Sequence, residues 1–266
     1  MTLTLTRDTV VWITGASSGL GEALAEALVK QGVRVALTAR RSELVVALAS
    51  RLSASGPGTA RAYPGSVTDA SALQHIVRQI EGDLGPISIV IANAGINEYT
   101  DPCHFDTGEY LAIMDTNYGG MLRTFEAVIP GMLERGTGTL VGVASLAGYR
   151  GLPTSAAYGA SKAAMIHFME SMRFHLEKKG VSVVVVNPGF VQTPMTEPNT
   201  FPMPSLVTAS FAAQDILRQL TNGKTVIAFP WVFSRIMGIT RIIPYSIYSW
   251  LVRLLWSRMK HGNESR

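Results

Sequence analysis

The chain has 266 residues, of which 47% are hydrophobic and 16% charged, so it carries enough apolar surface for a sizeable core and too little charge for disorder. Its net charge of +4 suits an anionic small molecule, yet the basic residues are spread out and form no Lys/Arg-rich run, which excludes nucleic acid as the expected partner. The single cysteine, Cys103, and five histidines without ligand spacing exclude a disulfide framework and a cysteine-based metal site. The start, "MTLTLTRDTVVWITG", has no basic segment followed by an apolar one. No secretory signal is therefore expected, and a reducing cytoplasm fits both features.

Along the chain, apolar β-branched runs occur at "VVWITG" (10–15), "RVALTA" (34–39), "SIVIANAG" (88–95), "GTLVGVAS" (138–145) and "VSVVVVNPG" (181–189). Helical patterns fall between them at 19–31, 43–53, 69–82, 107–134 and 156–179. A further helix at 214–221 precedes a last strand near 225–229, and "SASGPG" (53–58) reads as a surface turn. Nearly continuous apolar strands predict a parallel sheet covered on both faces. Strand and helix in alternation predict right-handed crossovers and an α/β fold, a Rossmann-type doubly wound sheet. No repeat or long linker divides the chain, so one domain is expected over 1–230, followed by an apolar helical extension at 231–266.

The first strand runs into "TGASSGLG" (14–21). Gly15, Gly19 and Gly21 permit a tight turn and close approach of backbone to phosphate. The new helix offers its unpaired N–H groups there, with Ser17, Ser18 and Leu20 in the same turn. At the end of the second strand stand Ala39, Arg40 and Arg41, where NAD sites usually carry an acidic residue. Guanidinium groups pair with a 2′-phosphate, so NADP(H) is expected in preference to NAD(H).

Hydride transfer to a ketone needs a proton donor for the developing alkoxide. In "YGASK" (158–162), Tyr158 and Lys162 lie four apart and share a helix face. A nearby cation would lower the phenol's usual pKa of about 10. Ser145, at a strand end, can donate to a substrate carbonyl. Bland readings remain for each: an amphipathic helix start, a strand-end hydroxyl, a buried polar residue satisfied by backbone.

Taken in order, "TGASSGLG", "NAG" (93–95), Asn117 in "MDTNYGG", Ser145 in "GVASLAG", "YGASK" and "NPG" (187–189) make the chain resemble the short-chain dehydrogenase/reductase family over about residues 8–230. The resemblance implies nicotinamide-dependent carbonyl/alcohol chemistry, with Asn117 supporting a water relay to Lys162. It assigns Asn93, Ala94 and Gly95 to the adenosine side of the cofactor, and Pro188, Gly189, Val191 and Thr193 to the nicotinamide side. Where the family often has Asp-Val to meet adenine, this chain has Ser66-Val67, a weaker contact. A homodimer or homotetramer is the expected assembly.

The end is unusual. In 246–260, Ser246, Ser249, Arg253, Ser257 and Lys260 form one narrow polar stripe and leave most of the helix apolar. The segment could cover the substrate cleft or a partner subunit, lie in a membrane interface with Trp250 and Trp256 as anchors, or pack on its own domain. The loop "PMTEPNTFPMP" (194–204), with Phe201 and Met203, is expected over the cleft near this tail. Together these features predict an NADP(H)-dependent oxidoreductase that interconverts a hydrophobic ketone or aldehyde and its alcohol. The alternatives are a cofactor-binding regulatory or scaffold protein without turnover and an epimerase-like relative.

Overall fold

The computed structural model describes residues 3–98, 100–199 and 201–263, with side chains through residue 254. The elements run β1 (Val10–Thr14), α1 (Gly19–Lys30), β2 (Arg34–Thr38), α2 (Ser42–Ser55), β3 (Thr59–Ala62), α3 (Ala70–Leu84), β4 (Ile89–Ala92) and α4 (Thr107–Met114). A π-helical segment, Asp115–Gly119, leads into α5 (Gly120–Arg135), β5 (Gly138–Val143) and α6 (Ala156–Leu176). Then come β6 (Val181–Pro188), β7 (Val191–Gln192), β8 (Val207–Thr208), α7 (Ala209–Thr221), β9 (Val226–Phe229), α8 (Trp231–Thr240) and α9 (Tyr245–Asn263).

Seven strands form one parallel sheet in the order β3-β2-β1-β4-β5-β6-β9. β1 and β4 are buried along their whole length, as strands covered on both faces must be. Leu24 and Leu28 of α1, Leu48 and Leu52 of α2, and Ile216 and Leu220 of α7 cover one face. Leu73 and Ile80 of α3, Phe125 of α5, and Met165 and Met169 of α6 cover the other. The fold is the expected Rossmann-type doubly wound sheet. Because the strand order reverses beside β1, a crevice opens at the carboxyl ends of β1 and β4.

Two local departures have physical causes. The run of apolar segments read from sequence omits β3, because "TARA" is short, lies at the sheet edge and buries only Ala60. The single helix expected over 107–134 is interrupted by the π-helical turn that carries Asn117. Such a turn redirects one side chain without ending the helix, and it is common where function requires a fixed polar group. The fully buried Asn117 accepts from the Ile96 N–H (2.8 Å) and donates to the Ile96 carbonyl (3.0 Å) and Ser161 Oγ (3.0 Å). One side chain thereby joins the segment after β4, the π turn and α6.

Replacing Asn117 by alanine would strand the backbone groups of Ile96 without partners. The expected loss is about 2 kcal/mol, or roughly 4–8 °C in Tm, measured by thermal unfolding without cofactor.

Candidate active site

The crevice is a cleft of about 500 Å³. At its phosphate end, Gly15 and Gly19 adopt φ of 66° and 61°, values that side-chain-bearing residues rarely hold. A Cβ on Gly15 would stand 2.6 Å from Ala94 Cα, so the turn and the segment after β4 approach as closely as backbone allows. Thr14 Oγ1 holds that approach by accepting from the N–H groups of Asn93 (3.2 Å) and Ala94 (3.3 Å). Ser18 stands at the N-cap of α1 but makes no side-chain cap bond, which leaves the first N–H groups of the helix open to an anion.

Ser17 and Ser18 instead accept hydrogen bonds from Arg41 at 3.0 and 2.9 Å. Both Arg40 and Arg41 are exposed and line this end of the cleft. The glycine turn and the open helix end fit the pyrophosphate of a nicotinamide dinucleotide, and the two arginines stand beside them.

At the other end, α6 presents Tyr158 and Lys162 together. Lys162 is buried, its Nζ donates to the Val143 carbonyl at 2.8 Å, and it stands 5.5 Å from the Tyr158 ring centroid. Burial lowers the Lys162 pKa from the ordinary 10.5 to about 7. Burial raises the pKa of Tyr158, and a hydrogen bond with Ser145 pulls the other way. The phenol thus lies above its ordinary value, whereas the spacing predicts depression by Lys162. The cause is burial, which takes the phenol out of water and also weakens the charge on Lys162.

Ser145 is positioned by a short turn, 146–148, in which its Oγ accepts from the Ala147 N–H at 3.1 Å and donates to the Pro188 carbonyl at 3.4 Å. A Cβ on Gly148 would meet the carbonyl carbon of Lys162 at 2.7 Å. Gly148 therefore lets the turn seat directly on α6 and bring Ser145 to Tyr158. Sequence reading missed this residue, although "SLAG" (145–148), two residues after the end of β5, carried the signal.

Of the residues expected around the cofactor, Gly15, Ser17, Ser18, Gly19, Leu20, Arg40, Arg41, Val67, Asn93, Ala94 and Gly95 line the cleft. So do Ser145, Tyr158, Lys162, Pro188, Gly189, Val191 and Thr193. Gly21, Ser66 and Asn117 stand behind its wall. Gly21 packs the helix onto the turn, since a Cβ there would meet the Gly15 carbonyl at 2.5 Å. Ser66 turns its hydroxyl to Thr68 Oγ1 at 2.8 Å, and the wall at that point comes from Gly65 and Val67. Asn117 Oδ1 and Lys162 Nζ border the same space beside Gly95, 3.1 and 3.5 Å from where its Cβ would lie. Thr38, Ile96 and Val143 also line the cleft and carried no sequence signal.

The short chain dehydrogenase family profile matches residues 9–202 of this chain. The chain belongs to the short-chain dehydrogenase family. It is 38% identical over 243 residues to an uncharacterized oxidoreductase of Myxococcus xanthus (strain DK1622), covering 91% of this chain and 96% of the relative. It is 35% identical over 226 residues to the ketoacyl reductase HetN of Nostoc sp., covering 84% and 78%.

Among solved structures, levodione reductase superposes with a TM-score of 0.79 at 24% identity, covering 87% of this chain and 99% of that one. An actinorhodin polyketide ketoreductase variant with NADPH superposes at 0.74 and 26% identity, covering 85% and 97%. At this level the protein is an NAD(P)-dependent oxidoreductase.

The buried amine gives a pH test. Below about pH 7 the folded and unfolded chains both hold the Lys162 proton, and above about 10.5 both have lost it. In between, the unfolded chain binds more protons, so the contribution of this site to stability rises with pH across that window. Urea unfolding of the cofactor-free protein from pH 7 to 9 is expected to show this rise, and Lys162→Met is expected to flatten it.

Proposed function

We propose that this short-chain dehydrogenase is an NADP(H)-dependent reductase of hydrophobic ketones or aldehydes, working in reverse as an alcohol dehydrogenase. The observation that carries the reading is the gathering of Ser145, Tyr158 and Lys162 at one end of a cleft whose other end holds Arg40 and Arg41. NADPH, when bound, supplies the hydride. Ser145 donates to the carbonyl oxygen and stabilises the charge that develops there.

Tyr158 gives its phenolic proton to that oxygen as the alcohol forms. Its raised pKa keeps it protonated near neutral pH, which suits an acid. Lys162, with a pKa of about 7, exchanges protons readily at that pH and restores the phenol. Asn117 acts as a positioning residue: its amide fixes Ile96 and Ser161, and its Oδ1 faces the space shared with the amine. A water held in that space would complete the relay to solvent.

The preference for NADPH rests on the absence of an acidic residue after β2 and on Arg41, already oriented by Ser17 and Ser18. A hydrophobic substrate is supported by the aromatic wall beyond Gly189. There Phe190 stacks on Phe233 of α8 at 5.8 Å and meets Phe201 edge-on at 6.0 Å. Segment 231–266 is read as an extension added to a 1–230 catalytic domain, and the assembly as a homodimer or homotetramer.

Tyr158→Phe is expected to lower kcat by about 100- to 10,000-fold against a carbonyl panel while leaving NADPH affinity within a few-fold, measured by NADPH absorbance and fluorescence titration. Equal turnover by the variant would overturn the mechanism and favour a cofactor-binding protein without this chemistry. Arg41→Ala is expected to raise the KM for NADPH roughly 10- to 100-fold and to change that for NADH little. Equal use of both cofactors by the wild type would remove the case for NADP(H).

A further inference from the structure

Beyond the cleft, α8 and α9 form a helical pair joined through Pro244. Its inner side is anchored to the catalytic domain. Met237 and Tyr248 are buried, Tyr248 donates to the Gly151 carbonyl, and Arg150 lies 4.8 Å over the Tyr248 ring. Arg241 also turns inward, 5.0 Å over the Tyr149 ring and 3.9 Å from Glu170. The tail therefore packs beside the segment between Ser145 and Tyr158, and part of the cover expected from sequence is supplied by its own domain.

The outer side is uncovered. Trp231 is 67% exposed, Ile242 82% and Trp250 62%, with Ile236, Ile239 and Leu251 beside them. Residues 231–263 carry five cations, Arg235, Arg241, Arg253, Arg258 and Lys260, and no carboxylate. Arg235 and Arg253 are exposed among these apolar groups, and Arg235 lies 5.2 Å over the Trp231 ring. The side chains of Trp256, Ser257, Arg258 and Lys260 lie outside the described residues.

We propose that this outer face of α8 and α9 docks peripherally on an anionic lipid surface. Aromatic and aliphatic side chains flanked by arginines are the composition that rests at the headgroup boundary of a bilayer. The alternative cover, a second copy of the chain, is disfavoured by charge. A two-fold contact would bring this face against itself, opposing Arg235 and Arg253 with further cations and no carboxylate. Spanning is excluded for the described residues, where no helix is long and apolar enough to cross a membrane. Because Phe233 of α8 packs on Phe190, which stands between the cleft-lining Gly189 and Val191, docking would hold the cleft close to the lipid. Delivery of a lipid-dissolved carbonyl is a consequence that rests on the reductase reading; docking itself does not.

The test is co-sedimentation of the full chain with phosphatidylcholine vesicles, with and without phosphatidylserine, beside turnover of a water-soluble carbonyl. The expected result is binding that requires phosphatidylserine and is released by high salt. Arg235→Glu with Arg253→Glu should weaken it at least about ten-fold. Ile242→Ser with Trp250→Ser should weaken it by a similar factor while leaving Tm and soluble-substrate turnover unchanged. Wild-type protein that stays in the supernatant, or binds both vesicle types equally, overturns the proposal whatever the activity assay reads. So does a dimer that falls to monomer only in the Ile242→Ser, Trp250→Ser variant with vesicle binding intact. Vesicle binding without turnover would instead leave docking standing and count against the reductase reading.

Discussion

The hydrogen bond from Lys162 to the Val143 carbonyl is the constraint on which the site depends. An ammonium group taken out of water is costly, and this one is held under the carboxyl end of β5 with its polar contact supplied by the end of the strand. That position requires α6 to lie hard against the turn after β5, which Gly148 permits. It requires the segment after β4 to close over the amine, which Gly95 permits and the Asn117 clamp on Ile96 enforces. The same desolvation that weakens the charge of the lysine keeps the neighbouring phenol protonated. In the proposed mechanism, proton donor and proton source are thus both tuned by burial.

The parallel sheet explains why these groups meet. Ser145, Asn93–Gly95 and the glycine turn all follow strands that point the same way, so all arrive at one edge. The reversal of strand order beside β1 then supplies the crevice for a dinucleotide. The proposed chemistry at one end and the proposed phosphate recognition at the other both draw on that edge, and the helices on either face serve mainly to keep it fixed.

What the sequence makes legible is what depends on local spacing. The sheet strands with continuous apolar runs, the glycine turn and the Tyr158–Lys162 helical pair are all encoded within a few residues. β3 was not legible, since an edge strand buries too little to mark itself. Nor was the π turn at Asn117, whose partners Ile96 and Ser161 lie 21 and 44 residues away and become neighbours only through the fold. Ser66 reads as an adenine contact by position, and the hydrogen bond of its hydroxyl with Thr68, two residues on, carried no sequence signal. The direction of the Tyr158 shift also eluded spacing. Four residues on a helix fix a shared face, but not how far burial takes both groups out of water.

In the proposed reaction this edge transfers hydride to a carbonyl, with Tyr158 supplying the proton. That reaction is tested most directly with NADPH deuterated at both positions of its reactive nicotinamide carbon. The wild-type protein is offered a panel of hydrophobic ketones and aldehydes, and the products are analysed by mass spectrometry. The expected product is an alcohol carrying one deuterium on the former carbonyl carbon, formed by the wild type and lost in Tyr158→Phe. Consumption of the cofactor with no deuterium in any product, or equal labelling by the variant, would contradict it.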